Sequence, residues 1–148
     1  MWRILILALC LFCANILQGN PAHAICKNYF IHYQTQGDKF IDQLLEVIKS
    51  NDKTKAQQFV VNNYCDPCLH FTPVQTYSDV IVKLQNGFNQ YTILQRKSKG
   101  LKAVVLIKSV KTNEMKLIRL EVDKNDTSKI FELSATDFTG KATDAIQV

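Results

Sequence analysis

The residues best equipped for chemistry stand in one six-residue stretch. Cys65-Asp66-Pro67-Cys68 is a C-x-x-C, and His70 follows two positions later. Two thiols at that spacing can bond to other cysteines, act as a redox dithiol, or supply half of a tetrahedral zinc site. A structural bridge would use Cys26. Pairing Cys26 with Cys65 or Cys68 closes a loop of about 40 residues, worth a few kcal/mol in the chain-entropy model. A redox dithiol needs the first thiol at a helix N-terminus after a strand, where the helix dipole lowers its pKa. The motif here follows a helical pattern instead, and no proline lies well downstream of it to pack on a dithiol. A metal site would take Cys65, Cys68 and His70, with Cys26 or His32 as the fourth ligand, but no second ligand pair supports it. A local Cys65–Cys68 bridge and pairing with another chain stay open.

The compartment bears on that choice. Met1–Ala24 reads as a secretory signal: Arg3, then an apolar run from Ile4 to Ala14, then Gly19, Asn20 and Pro21, then Ala22-His23-Ala24 with small residues at the two positions read at cleavage. The run is shorter than the ~20 apolar residues that span a bilayer. Cleavage predicts a secreted chain of 124 residues, enough for one core, with no membrane segment after the signal is removed. Cys10 and Cys13 leave with the signal. Cys26, Cys65 and Cys68 remain as the disulfide candidates, an odd number in an oxidising compartment.

The mature part carries 17 Lys and Arg against 13 Asp and Glu, a net of +4. That basicity is too dilute for a dedicated nucleic-acid binder, and the secretory address argues the same way. No cofactor is expected. Asn125-Asp126-Thr127 is an N-x-T sequon in a polar turn, so Asn125 is a glycosylation candidate. Arg96, Lys97, Lys99 and Lys102 cluster across one hairpin tip. They could dock sulfated glycans or an acidic protein partner, but solvated lysines that block edge-to-edge strand pairing are the stronger reading.

These residues need elements to hold them. Ile25–Gln36 is an aromatic-rich arm. Asp38 caps a helix whose apolar positions Phe40, Ile41, Leu44, Leu45, Val47 and Ile48 recur at i, i+3, i+4. A second helix spans about Thr54 to Asn63 and is stopped by Asp66-Pro67. Leu69–Val74 reads as a short strand broken by Pro73. A third helix runs over Tyr77–Phe88, capped by Thr76 or Ser78 and ended at Asn86-Gly87. Tyr91–Lys97, Leu101–Val110, Met115–Val122 and Lys129–Asp137 then read as four strands joined by short polar turns, hence antiparallel. The middle of the second strand is apolar on both faces, which places it inside the sheet. Thr139–Val148 is polar and reads as a frayed tail. Helices first and strands second predict an α+β fold.

The stretch Gly37-Asp38-Lys39-Phe40-Ile41-Asp42-Gln43-Leu44-Leu45, a second helix entering Tyr64–Phe71, a third at Tyr77–Phe88 and the strands after it together resemble the NTF2-like (cystatin-like) superfamily, in particular its small secreted members in nematodes. The resemblance covers about residues 37–138 and rests on element order and hydrophobic pattern. It implies a curved, mostly antiparallel sheet wrapping a long helix, with a cavity between them. It further implies a pocket for a small apolar ligand, a protein-binding surface, or a homodimer through the sheet face. The enzymes of the superfamily place an acid in the cone, where burial tunes its pKa. Asp79 and Asp137 lie nearest by location, but a helix N-terminal charge and a strand-end turn residue are their stronger readings. The reading carried forward is a secreted, non-enzymatic domain with no catalytic residue assigned.

Overall fold

The computed structural model describes residues 34–146. The segment read as a secretory signal, Cys26, His32 and the arm before Gln34 lie outside the described residues. Among the described residues no helix is long and apolar enough to cross a membrane.

The described residues fold as α+β, four helices followed by a four-stranded antiparallel sheet that is not closed. The helices are α1 (Gln36–Ser50), α2 (Lys53–Asn63), α3 (Asp66–Phe71) and α4 (Val74–Phe88); the strands are β1 (Tyr91–Lys99), β2 (Lys102–Ser109), β3 (Met115–Val122) and β4 (Ile130–Asp137). The strands lie in sequence order, each paired with the next.

Four local expectations are corrected. Asp38 does not cap α1. Thr35 does, in an extended conformation, and Asp38 is its reciprocal partner in a capping box. The Asp38 N–H donates to Thr35 Oγ1 at 3.1 Å, and the Thr35 N–H donates back to Asp38 Oδ2 at 3.1 Å. Leu69–Val74 is not a strand, because α3 runs through Phe71. Pro67 ends nothing there; it sits in the first turn of α3, where its missing amide costs no hydrogen bond. Finally, α4 begins at Val74 behind Pro73, without a side-chain cap. Ser78 is buried inside that helix, and its hydroxyl donates to the Gln75 carbonyl at 3.0 Å.

The core forms where α1 and α4 cover the inner face of the sheet. Phe40, Ile41, Leu44 and Ile48 of α1 meet Val105, Ile107 and Ile118, while Phe59, Val60, Ile81 and Phe88 close the sides. One buried polar side chain joins three elements: Gln85 Nε2 on α4 donates to the carbonyls of Val47 and Asp52, each at 2.9 Å. Both donor positions of the amide are thereby satisfied, which burial requires.

Gly37 sets how closely α1 approaches the sheet. A Cβ added there would lie 2.9 Å from the Ala103 Cβ on β2. Neither atom can rotate away, so Gly37→Ala should cost about 1–2 kcal/mol despite alanine's better helix propensity. Urea unfolding of the variant checks this, and a gain in stability would show that the contact can open freely.

The apolar run in β2 has a cover on each face. Ala103, Val105 and Ile107 face the helices. Val104 and Leu106 face the other way, beside Leu117 of β3, and form a second small core with Ala145. Phe138, Ala142 and Ile146 pack against that cluster. Part of the segment expected to fray is therefore packed: it turns through a short 3-10 helix at Ala142–Asp144 and lies on the outer face of the sheet.

Candidate functional site

Three places gather the chemistry-bearing residues. The first is the elbow between α2 and α3. Cys65 and Cys68 form a disulfide there, with Cα atoms 5.2 Å apart. Cys65 is the N-cap of α3, and the Cys68 N–H donates to Cys65 Sγ at 3.3 Å. Tyr64 just before it makes a parallel bridge to Ile130, and the Cys65 N–H donates to the Ile130 carbonyl at 3.0 Å. The elbow is thus sewn to the start of β4. Tyr64 is buried against Tyr77, ring centroids 4.4 Å apart, and burial pushes its hydroxyl pKa up.

This geometry bears on each reading of the motif. Extended backbone leads into a helix at Cys65, a context that the helical pattern upstream did not foretell. Access is nevertheless inverted for dithiol catalysis. The cysteine at the helix start is only 3% exposed, whereas Cys68 is the more accessible. Thiol exchange requires an attacking thiolate at the helix start that a substrate can reach. His70 turns outward, its ring edge-on to the exposed Phe71 at 5.4 Å, away from metal-like geometry. Among the described residues no group of three or more His, Cys, Asp or Glu side chains is placed to hold a metal ion.

The bridge closes a very short loop, so its contribution is modest. Replacing both cysteines with alanine should lower stability by no more than about 2 kcal/mol in the chain-entropy model. Thermal unfolding of Cys65→Ala/Cys68→Ala measures it; a loss twice as large would make the elbow a main support of the fold.

The second place was not legible as a cluster. Arg96, on the inner side of β1, reaches the first turns of α1. Its Nε donates to Asp38 Oδ1 at 3.0 Å, Nη2 to the Asp38 carbonyl at 2.7 Å, and Nη1 to Asp42. Ser98 Oγ adds a 2.6 Å bond to Asp38 Oδ2. Burial alone would raise the Asp38 carboxyl pKa. The donors Ser98, Thr35 and Arg96 outweigh it and hold that pKa below the ordinary aspartate value. The available signal was the i, i+4 spacing of Asp38 and Asp42 on one helix face. This arrangement divides the basic hairpin cluster. Arg96 is committed to α1 and Lys102 pairs with Glu121 at 3.3 Å, while Lys97 and Lys99 stay exposed.

The third place is the outer face of the sheet. Lys102, Arg119, Glu121, Glu132 and Ser134 ring an open trough of about 410 Å3 above Val104. The two carboxyl groups weighed for catalysis lie elsewhere and at the surface. Asp79 on α4 accepts from Gln75, and Asp137 at the end of β4 pairs with Lys116 at 2.6 Å. Asn125 is exposed in the β3–β4 loop and lines a second cavity of about 290 Å3 with Cys65, Pro67 and Phe131. No family model, curated protein or solved structure matches this chain.

Proposed function

We propose that the chain is a secreted, non-enzymatic domain of NTF2-like arrangement that binds a protein partner rather than a small apolar ligand. The observation that carries this reading is the filled interior. Where such a cone would hold a ligand, Phe40, Leu44, Ile48, Ile81 and Phe88 pack against the sheet, each at most 3% exposed. A domain that binds apolar molecules usually keeps an apolar cavity of roughly 300 Å3 or more. The trough outside the sheet has the opposite character. Its rim carries cations and anions side by side, which suits a polar protein surface better than a lipid-like molecule.

The test uses the whole chain secreted from eukaryotic cells. Mass spectrometry after organic extraction should find no bound apolar molecule, and the N-terminus should begin after Ala24. A photo-crosslinking residue in place of Arg119, exposed to native extracellular fluid, should yield one dominant protein adduct that the same probe at Lys83 does not. A stoichiometric lipid in the extract, or identical adducts at both positions, overturns the proposal.

A further inference from the structure

The β3–β4 loop brings the Asn125-Asp126-Thr127 sequon to the rim of the 290 Å3 cavity, and the large apolar side chain in that cavity's wall is Phe131. Phe131 is 55% exposed. A single exposed aromatic is unremarkable on most surfaces. Here two separate devices hold it outward. The β3–β4 register shifts between Glu121 and Val122: Glu121 pairs with Glu132 and Val122 with Ile130. Phe131 is therefore the extra residue of a bulge, and a bulge re-aims the side chain it carries. The disulfide elbow then braces the same backbone. Cys65 N–H binds the Ile130 carbonyl, and Cys68 Sγ lies 3.4 Å from the Phe131 carbonyl.

The loop presents the acceptor in a matching way. The Asn125 N–H donates to Asp123 Oδ1 at 2.7 Å, and the Ser128 N–H and Oγ both donate to Asp126 Oδ1. These bonds shape the turn while Asn125 and Thr127 remain exposed. Asn125 and Phe131 thus line one cavity of a size to receive a single sugar ring.

We propose that Asn125 carries an N-linked glycan whose first N-acetylglucosamine lies against the Phe131 ring and covers the elbow. The proposal rests on the secretory reading of the chain. In the transfer, the Asn125 amide nitrogen attacks the anomeric carbon of a lipid diphosphate-linked oligosaccharide. The C1–N bond forms, the C1–O bond to the diphosphate breaks, the diphosphate departs with the electron pair, and the amide nitrogen gives up one proton. The C–H-rich face of the attached sugar is apolar, and an aromatic face is electron-rich, so the two stack. Such a contact hides a ring that otherwise stays half in water.

The experiment secretes four forms of the whole chain from eukaryotic cells: wild type, Thr127→Ala, Phe131→Ala and the double variant. Endoglycosidase then trims every glycan to one sugar. Intact mass should show the wild type carrying that sugar and Thr127→Ala lacking it. The sugared form should melt about 3 °C above Thr127→Ala, and the gap should shrink to under about 1 °C when Phe131 is alanine. Ring-current upfield shifts of the sugar protons, present in the wild type and absent from Phe131→Ala, give a readout independent of stability. A secreted chain without sugar at Asn125 overturns the modification. A sugar whose melting increment and proton shifts ignore Phe131 overturns the contact. A chain that stays intracellular with residues 1–24 attached overturns the secretory reading itself, and the proposal with it.

Discussion

Replacing Asp38 with asparagine lowers the stability of the domain by about 3 kcal/mol at neutral pH, the largest effect expected of any single polar substitution here. Asp38 is 6% exposed. Its carboxylate accepts from the Thr35 N–H, the Ser98 hydroxyl and the Arg96 guanidinium at once. An asparagine has one acceptor oxygen, so its NH2 group must face donors that previously met the other oxygen. Arg96 then sits partly desolvated with Asp42 as its remaining carboxylate partner. Arg96 keeps about a quarter of its side chain in water, which holds the expected cost to the lower end of the range for broken buried pairs. In a domain of this size the loss moves the melting temperature by about 10 °C.

The sign of the pH dependence follows from the lowered Asp38 pKa. The unfolded chain holds its proton more tightly than the folded one does. The stabilisation is therefore complete above the unfolded value near about pH 4, and it is lost as pH falls through the lower folded value. The stability gap between wild type and Asp38→Asn should stay constant from about pH 8 to 5 and narrow below about pH 4. Urea titrations of both proteins at several pH values decide it. A gap that is the same at about pH 3 as at about pH 7 would show that the carboxylate's charge contributes nothing.

Ending the chain at Asp137 has an effect of similar size and a different kind. The removed segment covers Leu106, which is fully buried, and Leu117, its direct neighbour across the β2–β3 pair. Re-exposing these two side chains, with part of Val104, costs about 3 kcal/mol at the usual transfer value. It also bares a flat apolar strip in the middle of an antiparallel sheet, the kind of surface that pairs with a copy of itself. Sedimentation velocity should show the full chain as a monomer and the truncated chain associating with concentration. Leu117→Lys in the truncated chain should restore the monomer. Truncated chains that stay monomeric at high concentration would remove the sheet face from consideration as a dimer surface. The segment beyond β4 thereby acts as a cover over one part of that face.

Much of this protein is legible in its residues alone. The α+β order, the amphipathic stripes of α1 and α4 and the four antiparallel strands follow from local periodicity and turn composition, because each is set by neighbours within a few positions. The run Ala103–Ile107, apolar on both faces, marked β2 as an inner strand for the same reason. The position of Pro67 was legible but ambiguous. A proline can end one helix or open the next, and the fold chose the second by tying Tyr64 and Cys65 to Ile130, 65 residues or more along the chain. Asp38 shows the same limit. Its place at the start of α1 was visible in sequence, but as the cap rather than as the capping-box partner of Thr35, and its burial needed Gly37 against Ala103 and the Arg96 side chain arriving from β1. The polar tail looked frayed because its few apolar residues have no local partner; their partners, Leu106 and Leu117, are on strands already committed to another core. Local spacing therefore determined α1, α2, α4 and the four strands with their order, and missed α3. Only the tertiary structure decided which cysteine is hidden, which carboxylate is buried and which face is covered, because each depends on contacts between segments far apart in the chain.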